Sequence, residues 1–347
     1  MNPLAERIAA LIASQGPVSV AHYMALVNDA YYATRDPLGR DFITAPEISQ
    51  VFGELMGLWI VQAWADQGRP REKRLVELGP GRGTLMADAL RAARVAPEFR
   101  DGLEIVLVEA SPALRAQQEQ RVPGARWAQG FGETLADKPL FLIANEFFDA
   151  LPVRQFVRTA KGWRERMVAL DARGALAFAL SPVPVPESYL PAGRSDAPDG
   201  AVCEISPAAE ALTAQIARSI AAQGGAALIV DYGYERPGFG ETLQAVAGHS
   251  FTAILDDPGE SDLSAHVDFA ALARAAAEAS VHGPVTQGEM LEDLGIAARF
   301  ARLAQANPGA ADALQSQLTR LTRADEMGTL FKALAILPKH APRPPGF

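Results

Sequence analysis

Hydrophobic and polar positions follow two different periods along this chain of 347 residues. In its first part, apolar side chains recur at helical spacing, as Leu4 and Ile8 do on one face. The longest apolar stretch, Val51 to Ala65, contains Glu54 and is shorter than the roughly 20 apolar residues that a membrane span needs. We therefore expect an N-terminal helical region over residues 1–70, which includes a core helix, and no membrane insertion.

Beyond this region the pattern changes to short apolar runs that alternate with helix-like stretches. The runs are RLVEL, LEIVLVE, LFLIANE and AALIVDYG, which start at Arg74, Leu103, Leu140 and Ala226. Buried strands separated by amphipathic helices are typical of a mostly parallel, doubly wound sheet. The predicted fold is therefore α/β and Rossmann-like, with its core formed by residues 71–152 and 223–340.

The segment between the two parts of this core has a different pattern. From Val153 to Leu180, hydrophobic and polar residues partly alternate, and Lys161-Gly162 is a turn candidate. Helical patterning resumes after Ser206-Pro207, an N-cap followed by proline. We expect an inserted hairpin and helix over residues 153–222. The proline-rich end, residues 341–347, is predicted to be disordered.

Composition narrows the class of protein. Hydrophobic residues make up 49% and charged residues 21% of the chain, as is typical of a globular protein. The formal net charge of -9 argues against a protein that mainly binds nucleic acid, because phosphates attract basic surfaces.

Cysteine content and motif spacing bear on location and on metal binding. Cys203 is the only cysteine, so the chain forms neither an internal disulfide nor a multi-thiolate zinc site. The amino-terminal sequence resembles neither a signal peptide nor a transit peptide. These observations predict a cytoplasmic protein. Asp262, His266 and Asp268 are close in sequence, but neither an H-E-x-x-H motif nor a cysteine pair accompanies them, so we expect no metal centre.

A glycine-rich turn and two acidic residues are the candidates for binding a nucleotide-like cofactor. The sequence ELGPGRG places Gly79, Gly81 and Gly83 between a predicted strand and a helix, where glycine lets a ligand approach the backbone closely. Glu77 is placed to accept hydrogen bonds from an ammonium group, and Glu109 ends the next strand, where a carboxylate can bind ribose hydroxyls. The spacing does not separate S-adenosylmethionine from a dinucleotide, although GPGRG departs from the G-x-G-x-x-G pattern.

Acidic and amide groups at later strand ends are candidates for the acceptor side of the site. Asn145, Glu146 and Asp149 follow the LFLIA strand, Asp231 ends another strand, and Asp268 lies in SDLSAHVDF. The Asn145 stretch partly resembles the Asn-Pro-Pro-aromatic tetrapeptide of methyltransferases that act on nitrogen. The structural alternatives are that Asn145 caps a turn, that Asp149 faces solvent, and that Asp268 is the N-cap of a helix.

Taken in order, several segments resemble the MidA-like family of methyltransferases, whose mitochondrial members assist assembly of respiratory complex I. The segments are RDPLGRDFITAPEISQVFGELMGLW (Arg35 to Trp59), ELGPGRGTLM, VLVEASP, ANEFFDALPVRQF, DYGY, DLSAHVDF and MGTLFKALAI. The resemblance implies a class I methyltransferase fold and the cofactor S-adenosylmethionine. It also implies methyl transfer to an arginine side chain of a complex I subunit.

The resemblance assigns expected roles to the candidate residues. It implies that Glu77, Gly79, Gly81, Gly83 and Glu109 hold the cofactor, and that Asn145, Glu146 and Asp149 face the acceptor. A guanidinium stays protonated in proteins, so carboxylates are expected to grip it and to accept its surplus proton after transfer. Glu146 and Asp149 are the first choices for this role, with Asp231 and Asp268 in reserve. Three alternatives stay open: an NAD-dependent oxidoreductase, a non-catalytic assembly factor, and a methyltransferase with a small-molecule acceptor.

Overall fold

A computed structural model describes residues 2–34, 43–191 and 196–347 of the chain. The helices are α1 (Pro3–Gln15), α2 (Val20–Thr34), α3 (Ala45–Ile48), α4 (Gln50–Asp66), α5 (Thr84–Ala92), α6 (Pro112–Arg121), α7 (Pro207–Gln223), α8 (Phe269–Ala275), α9 (Gln287–Asp293), α10 (Ile296–Ala306), α11 (Ala311–Thr322) and α12 (Met327–Leu330). The strands are β1 (Val18–Ser19), β2 (Lys73–Leu78), β3 (Leu103–Val108), β4 (Arg126–Ala128), β5 (Leu140–Asn145), β6 (Arg154–Thr159), β7 (Gly162–Leu170), β8 (Leu176–Val185), β9 (Val202–Ile205), β10 (Gly225–Tyr234), β11 (Gln244–Ala247), β12 (Ser250–Thr252), β13 (Asp262–Ser264), β14 (Val267–Asp268), β15 (Ser280–Thr286) and β16 (Phe331–Leu337).

The chain divides into two compact units whose boundaries differ from the predicted ones at residues 70, 152 and 222. The larger unit contains Ile43–Phe148, Leu212–Glu235 and Phe269–Phe347, and the smaller unit contains Met1–Phe42, Asp149–Ala211 and Arg236–Asp268. The first helices therefore belong with the hairpin segment rather than forming a region of their own. Local periodicity does not reveal such groupings, because they depend on contacts between residues far apart in sequence.

The larger unit is built on a sheet with the strand order β4-β3-β2-β5-β10-β16-β15. Strands β2, β3, β4, β5 and β10 run parallel to their neighbours in this group, and β16 runs antiparallel to both β10 and β15. Every residue of β2 and β5 is buried, and the sequence of β5 is accordingly apolar up to Asn145. The predicted α/β, mostly parallel sheet is confirmed.

Helix α4 packs against α5 at a position that only glycine fits. A Cβ added at Gly57 would lie 2.5 Å from the Cα of Ala89, so the two helix backbones are in close contact. The helix begins at Gln50, where the Ser49 hydroxyl accepts a hydrogen bond from the Val51 N–H. Thr44 is the N-cap of the short helix α3, and its side chain forms no capping hydrogen bond.

The smaller unit contains two antiparallel sheets. The first has the order β1-β7-β6-β9, with β8 paired to β7, and the second has the order β12-β11-β13. The predicted hairpin is present as β6 and β7, which close with the pair Thr159 and Gly162. Strand β8 continues to Val185, into a stretch that contains two prolines. The prolines at 182 and 184 are tolerated because β8 lies at a sheet edge.

The carboxyl-terminal segment is packed rather than disordered as predicted. The Trp59 indole Nε1–H donates to the Pro345 carbonyl oxygen at 3.1 Å, and the rings of Trp59 and Phe347 meet edge to face with centroids 6.2 Å apart. An aromatic residue at the chain end therefore anchors a segment whose proline content alone indicates disorder. Within the described ranges, no helix is both long enough and apolar enough to cross a membrane.

Candidate active site

The glycine-rich turn connects β2 to α5 at the carboxyl edge of the larger sheet. Gly79, Gly81 and Gly83 have φ angles of +63°, +51° and +80°, in the left-handed region that favours glycine. A Cβ added at Gly79 would also lie 2.8 Å from Cδ2 of Phe147. The turn therefore depends on these glycines for its backbone path, and it leads into the start of a helix, a position that favours anionic and polar ligand groups.

Glu77, one residue before the end of β2, carries a buried carboxyl group in this edge. Its side chain is 3% exposed. Burial raises the pKa of Glu77 to about 8, a hydrogen bond from the Met86 backbone opposes this, and the charge of Glu109 adds to it. Among the described residues, none donates a hydrogen bond to Oε2 of Glu77. A buried acceptor of this kind is costly unless a ligand supplies a donor.

Strand register places three polar side chains on one face of the sheet. Glu77 pairs with Leu107 on β3 and with Ile143 on β5. Paired residues of parallel strands share a face, and alternate residues along a strand return to that face. Glu109 and Asn145, two positions after Leu107 and Ile143, therefore lie on the same face as Glu77. The two predicted cofactor carboxylates are brought to one face of the sheet, and Asn145 lies on that face as well.

Neighbouring residues donate hydrogen bonds to the Glu109 carboxylate and hold it in place. Its N–H donates to the Ala128 carbonyl at 3.0 Å, which extends the β3–β4 pairing through this residue. Oε1 accepts from the Ser111 N–H at 2.7 Å, and Oε2 accepts from Nε2 of Gln118 at 3.2 Å. Burial raises the pKa of Glu109, and these donors oppose the rise. Gln118 is not among the residues predicted for the site, although its position one helical turn after Leu114 marks it as a polar residue on a buried face.

Asn145 and Glu146 interact with each other at the end of β5. Oε1 of Glu146 accepts from Nδ2 of Asn145 at 3.1 Å and from the Ala45 N–H at 2.9 Å. Burial raises the pKa of Glu146 to about 7, and the Ala45 and Asn145 donors and the charge of Arg320 oppose the rise. Glu146 has a φ of +50°, which is uncommon for a residue with a side chain and typical of functional positions.

Oδ1 of Asn145, like Oε2 of Glu77, is a buried acceptor atom that receives no hydrogen bond from a described residue. Asn145 is 8% exposed, and no described residue donates to its Oδ1. Two buried acceptor atoms on one face, beside a glycine turn and a second carboxylate, fit a ligand that carries an ammonium group and hydroxyl groups. These are the donors of the methionine and ribose parts of S-adenosylmethionine. In the described part of the chain, no group of three or more acidic, histidine or cysteine side chains is placed to hold a metal ion.

Asp231 has a structural role that its position in the sequence does not reveal. Its Oδ2 accepts from the backbone N–H groups of Phe147 and Phe148 at 3.1 and 2.9 Å. Val230 pairs with Asn145, so the next residue, Asp231, points to the opposite face of the sheet. Its carboxylate therefore anchors the turn after β5, and its reserve role at the acceptor stays a prediction.

Asp149 and Asp268 belong to the smaller unit. The Ala265 N–H donates to the Asp149 carbonyl at 3.0 Å, and Asp149 is a buried side chain. Burial raises the pKa of Tyr32, and the negative charges of Asp262 and Asp149 add to this rise. The Tyr32 hydroxyl donates a hydrogen bond to Oδ1 of Asp262 at 2.7 Å. Burial of Asp149 argues against the alternative in which it faces solvent. Asp268 is the last residue of β14, and the acceptor roles of both residues stay predictions.

A segment of the larger unit before α4 contributes contacts that the sequence analysis did not assign. Besides the bond from Ala45 to Glu146, the Thr84 hydroxyl donates to Oε1 of Glu47 at 2.6 Å. This segment is thus bonded both to the end of β5 and to the first residue of α5. The preceding residues, 35–42, also form part of the family resemblance, but they lie outside the described residues.

Comparison with known proteins identifies the family. Residues 55–285 match the family described as "Putative S-adenosyl-L-methionine-dependent methyltransferase". The chain is 37% identical over 380 residues to "Protein arginine methyltransferase NDUFAF7, mitochondrial" of Xenopus tropicalis, a match that covers 97% of this chain and 86% of the relative. The Homo sapiens protein of the same name is 35% identical over 375 residues, with 97% and 84% covered.

Solved structures agree with these relatives. A crystal structure from Burkholderia thailandensis with bound S-adenosyl-homocysteine has a TM-score of 0.84 and 29% identity, and the match covers 98% of this chain and 93% of that one. A native structure from the same organism has a TM-score of 0.85 and 29% identity, with 99% and 94% covered. These findings confirm the Rossmann-like methyltransferase fold and the cofactor S-adenosylmethionine, and they argue against the NAD-dependent oxidoreductase.

The names of the relatives contradict the predicted cytoplasmic location, because they describe mitochondrial proteins. The prediction was wrong because a single cysteine indicates a reducing environment without identifying the compartment.

The family assignment rests on the extent of the match, on the ligand of the related structure, and on a sheet edge that fits this ligand. The chain belongs to the family of S-adenosyl-L-methionine-dependent methyltransferases.

Proposed function

We propose that this methyltransferase acts on a nitrogen of an arginine side chain, in a protein that is a subunit of respiratory complex I. The relatives named as protein arginine methyltransferases support the acceptor class, and the family resemblance of the sequence supports the complex I partner. The observation that carries the proposal is Glu146, a carboxyl group with a pKa of about 7 at the edge that also holds Glu77 and Glu109.

Three side chains on one face hold the cofactor in this proposal. The bound cofactor supplies a methyl group on a positively charged sulfur. Glu77 and Asn145 accept hydrogen bonds from its ammonium group, because their Oε2 and Oδ1 atoms are buried acceptors on this face for which no described residue supplies a donor. Glu109 accepts from the ribose hydroxyls, and the turn at Gly79, with its positive φ, lets the backbone approach the ligand. In this proposal Asn145 therefore binds the cofactor, whereas the family resemblance implies that it faces the acceptor.

Glu146 orients the acceptor and takes up the proton that methylation releases. A protonated guanidinium that gains a methyl group must lose one N–H proton to return to its ordinary charge. A carboxylate with a pKa near 7 accepts this proton and passes it to water at neutral pH. The bonds from Ala45 and Asn145 keep the carboxylate in one orientation. Most of the rate enhancement then comes from holding the two reactants in line.

Methyl transfer to isolated complex I subunits tests the proposal. The protein, labelled S-adenosylmethionine and a panel of purified subunits are incubated, and mass spectrometry locates the label. We expect label on an arginine, a loss of about 100-fold in the Glu146→Gln variant, and unchanged transfer in Glu119→Gln, which alters an exposed glutamate of α6.

Other outcomes assign other functions. Label on a lysine or a small molecule would overturn the arginine assignment. Tight binding of S-adenosylhomocysteine without transfer to any subunit would favour a non-catalytic assembly factor.

A further inference from the structure

Gln118 is a completely buried polar residue whose side chain connects two parts of the cofactor site. It is 0% exposed and lies on α6, a helix that contributes none of the cofactor residues named above. Its Nε2 donates to the Gly81 carbonyl oxygen at 2.6 Å and to Oε2 of Glu109 at 3.2 Å. Its Oε1 accepts from Nε1 of Trp127 at 2.8 Å. The amide is therefore bonded at both ends.

The indole group determines the orientation of this amide. An indole N–H only donates, so Oε1 of Gln118 must face Trp127 and the NH₂ group must face away from it. The two atoms that Nε2 then meets, the Gly81 carbonyl and the Glu109 carboxylate, only accept. Each of the two amide protons has one acceptor. No other amide orientation satisfies all three groups.

We propose that Gln118 is a positioning residue for the cofactor, which holds the Glu109 carboxylate and the glycine turn in one fixed arrangement. The Ser111 N–H and Gln118 each occupy one oxygen of Glu109, and the remaining lone pairs of the carboxylate face the ribose hydroxyls. The same amide donates a hydrogen bond to the Gly81 carbonyl oxygen, which connects the glycine turn to α6. The inference rests on the proposed contact between Glu109 and the ribose.

The residue type follows from this role. Methionine fills a similar volume but donates no hydrogen bond. A glutamate has nearly the same shape, but it places a second negative charge against Oε2 of Glu109 and against the Gly81 carbonyl. A residue that only filled space would tolerate methionine. A positioning residue is expected to lose cofactor affinity with methionine, and to lose more with glutamate, which also buries a charge.

A double-mutant cycle measured by calorimetric titration with S-adenosylhomocysteine tests this role. We expect Gln118→Met to weaken binding roughly tenfold in the wild-type background, since a hydrogen bond to a charged group is lost. In a Glu109→Ala background the same change is expected to weaken binding by a smaller factor, because the part of the effect that acts through Glu109 is gone and only the bond to the Gly81 carbonyl is lost. Gln120→Met, an exposed glutamine on the same helix, is the matched control and leaves the affinity unchanged.

Two further measurements separate positioning from a purely structural role. Gln118→Glu is expected to bind more weakly than Gln118→Met, and thermal unfolding verifies that each variant is folded at the titration temperature. Equal losses from Gln118→Met in both backgrounds, or a Gln118→Glu variant that binds at least as well as Gln118→Met, would overturn the inference while the proposed function stands. A wild-type protein that fails to bind S-adenosylhomocysteine would overturn both.

Discussion

Replacing Glu77 by glutamine is expected to stabilise the ligand-free protein and to weaken cofactor binding. The carboxyl group is buried, and its pKa in the folded protein is about 8 rather than the ordinary 4.5. The folded state therefore prefers the protonated form. The stability that protonation supports is fully present below pH 4.5 and is lost as the pH rises through about 8.

The size of this effect follows from the two pKa values. At pH 7 an unfolded chain has already ionised the group, whereas the folded protein must keep a proton on it. At about 1.4 kcal/mol for each tenfold change in proton affinity, the cost at pH 7 is on the order of 3 kcal/mol. Glutamine has the same shape and does not ionise. We expect Glu77→Gln to remove most of this cost, so that its free energy of unfolding exceeds that of the wild type at pH 8.

Binding changes in the opposite direction. An ammonium group bonded to a carboxylate contributes about 1.5–3 kcal/mol, which corresponds to a loss of roughly 10- to 100-fold in affinity when the charge is removed. Because the carboxylate must lose its proton to bind an ammonium group, wild-type affinity for S-adenosylhomocysteine should rise between pH 6 and 8. The variant should lack that rise.

Urea unfolding at pH 5, 7 and 8 and calorimetric titration at the same pH values measure both effects. Glu119→Gln, at an exposed position, serves as the control for removing a negative charge. If the stability of Glu77→Gln follows the same pH dependence as that of the wild type, burial does not control this carboxyl group. If the variant binds S-adenosylhomocysteine as tightly as the wild type, Glu77 does not contact the ammonium group.

Three further outcomes are expected. Gly79→Ala should lower the free energy of unfolding by about 1–3 kcal/mol and abolish S-adenosylhomocysteine binding in a titration, because the residue has a φ of +63° and its Cβ would meet Phe147; unchanged affinity would separate the turn from the site. The transfer rate of the wild type should rise with pH from 6 to 8, since Glu146 accepts a proton only when ionised and its pKa is about 7, and Glu146→Gln should show a flat profile in the labelled-methyl assay. Deleting residues 341–347 should lower the urea midpoint through a loss of about 1–2 kcal/mol, because the Trp59 indole loses a hydrogen bond and an aromatic contact; a disordered tail would leave the midpoint unchanged.

Local sequence was sufficient to predict much of the larger sheet and part of its site. Apolar runs such as Leu140 to Ala144 predict buried strands because a strand covered on both faces needs little else. The glycines of the turn and the positions of Glu77 and Glu109 at strand ends are equally local features. Because parallel strands end at a common edge, the sequence by itself predicts that these two carboxylates lie near one another.

Only the tertiary structure decided which groups face each other. Register across β2, β5 and β10 brings Asn145 to the face of Glu77 and turns Asp231 to the other face, although both come after apolar runs in the sequence. The buried amide of Gln118 meets Gly81, 37 positions away along the chain. The packed tail depends on Trp59, 286 positions from its hydrogen-bond partner. Residue type and spacing determine the character of each segment, but the partner of a buried polar group depends on strand register and helix packing, which arise from contacts between distant parts of the chain.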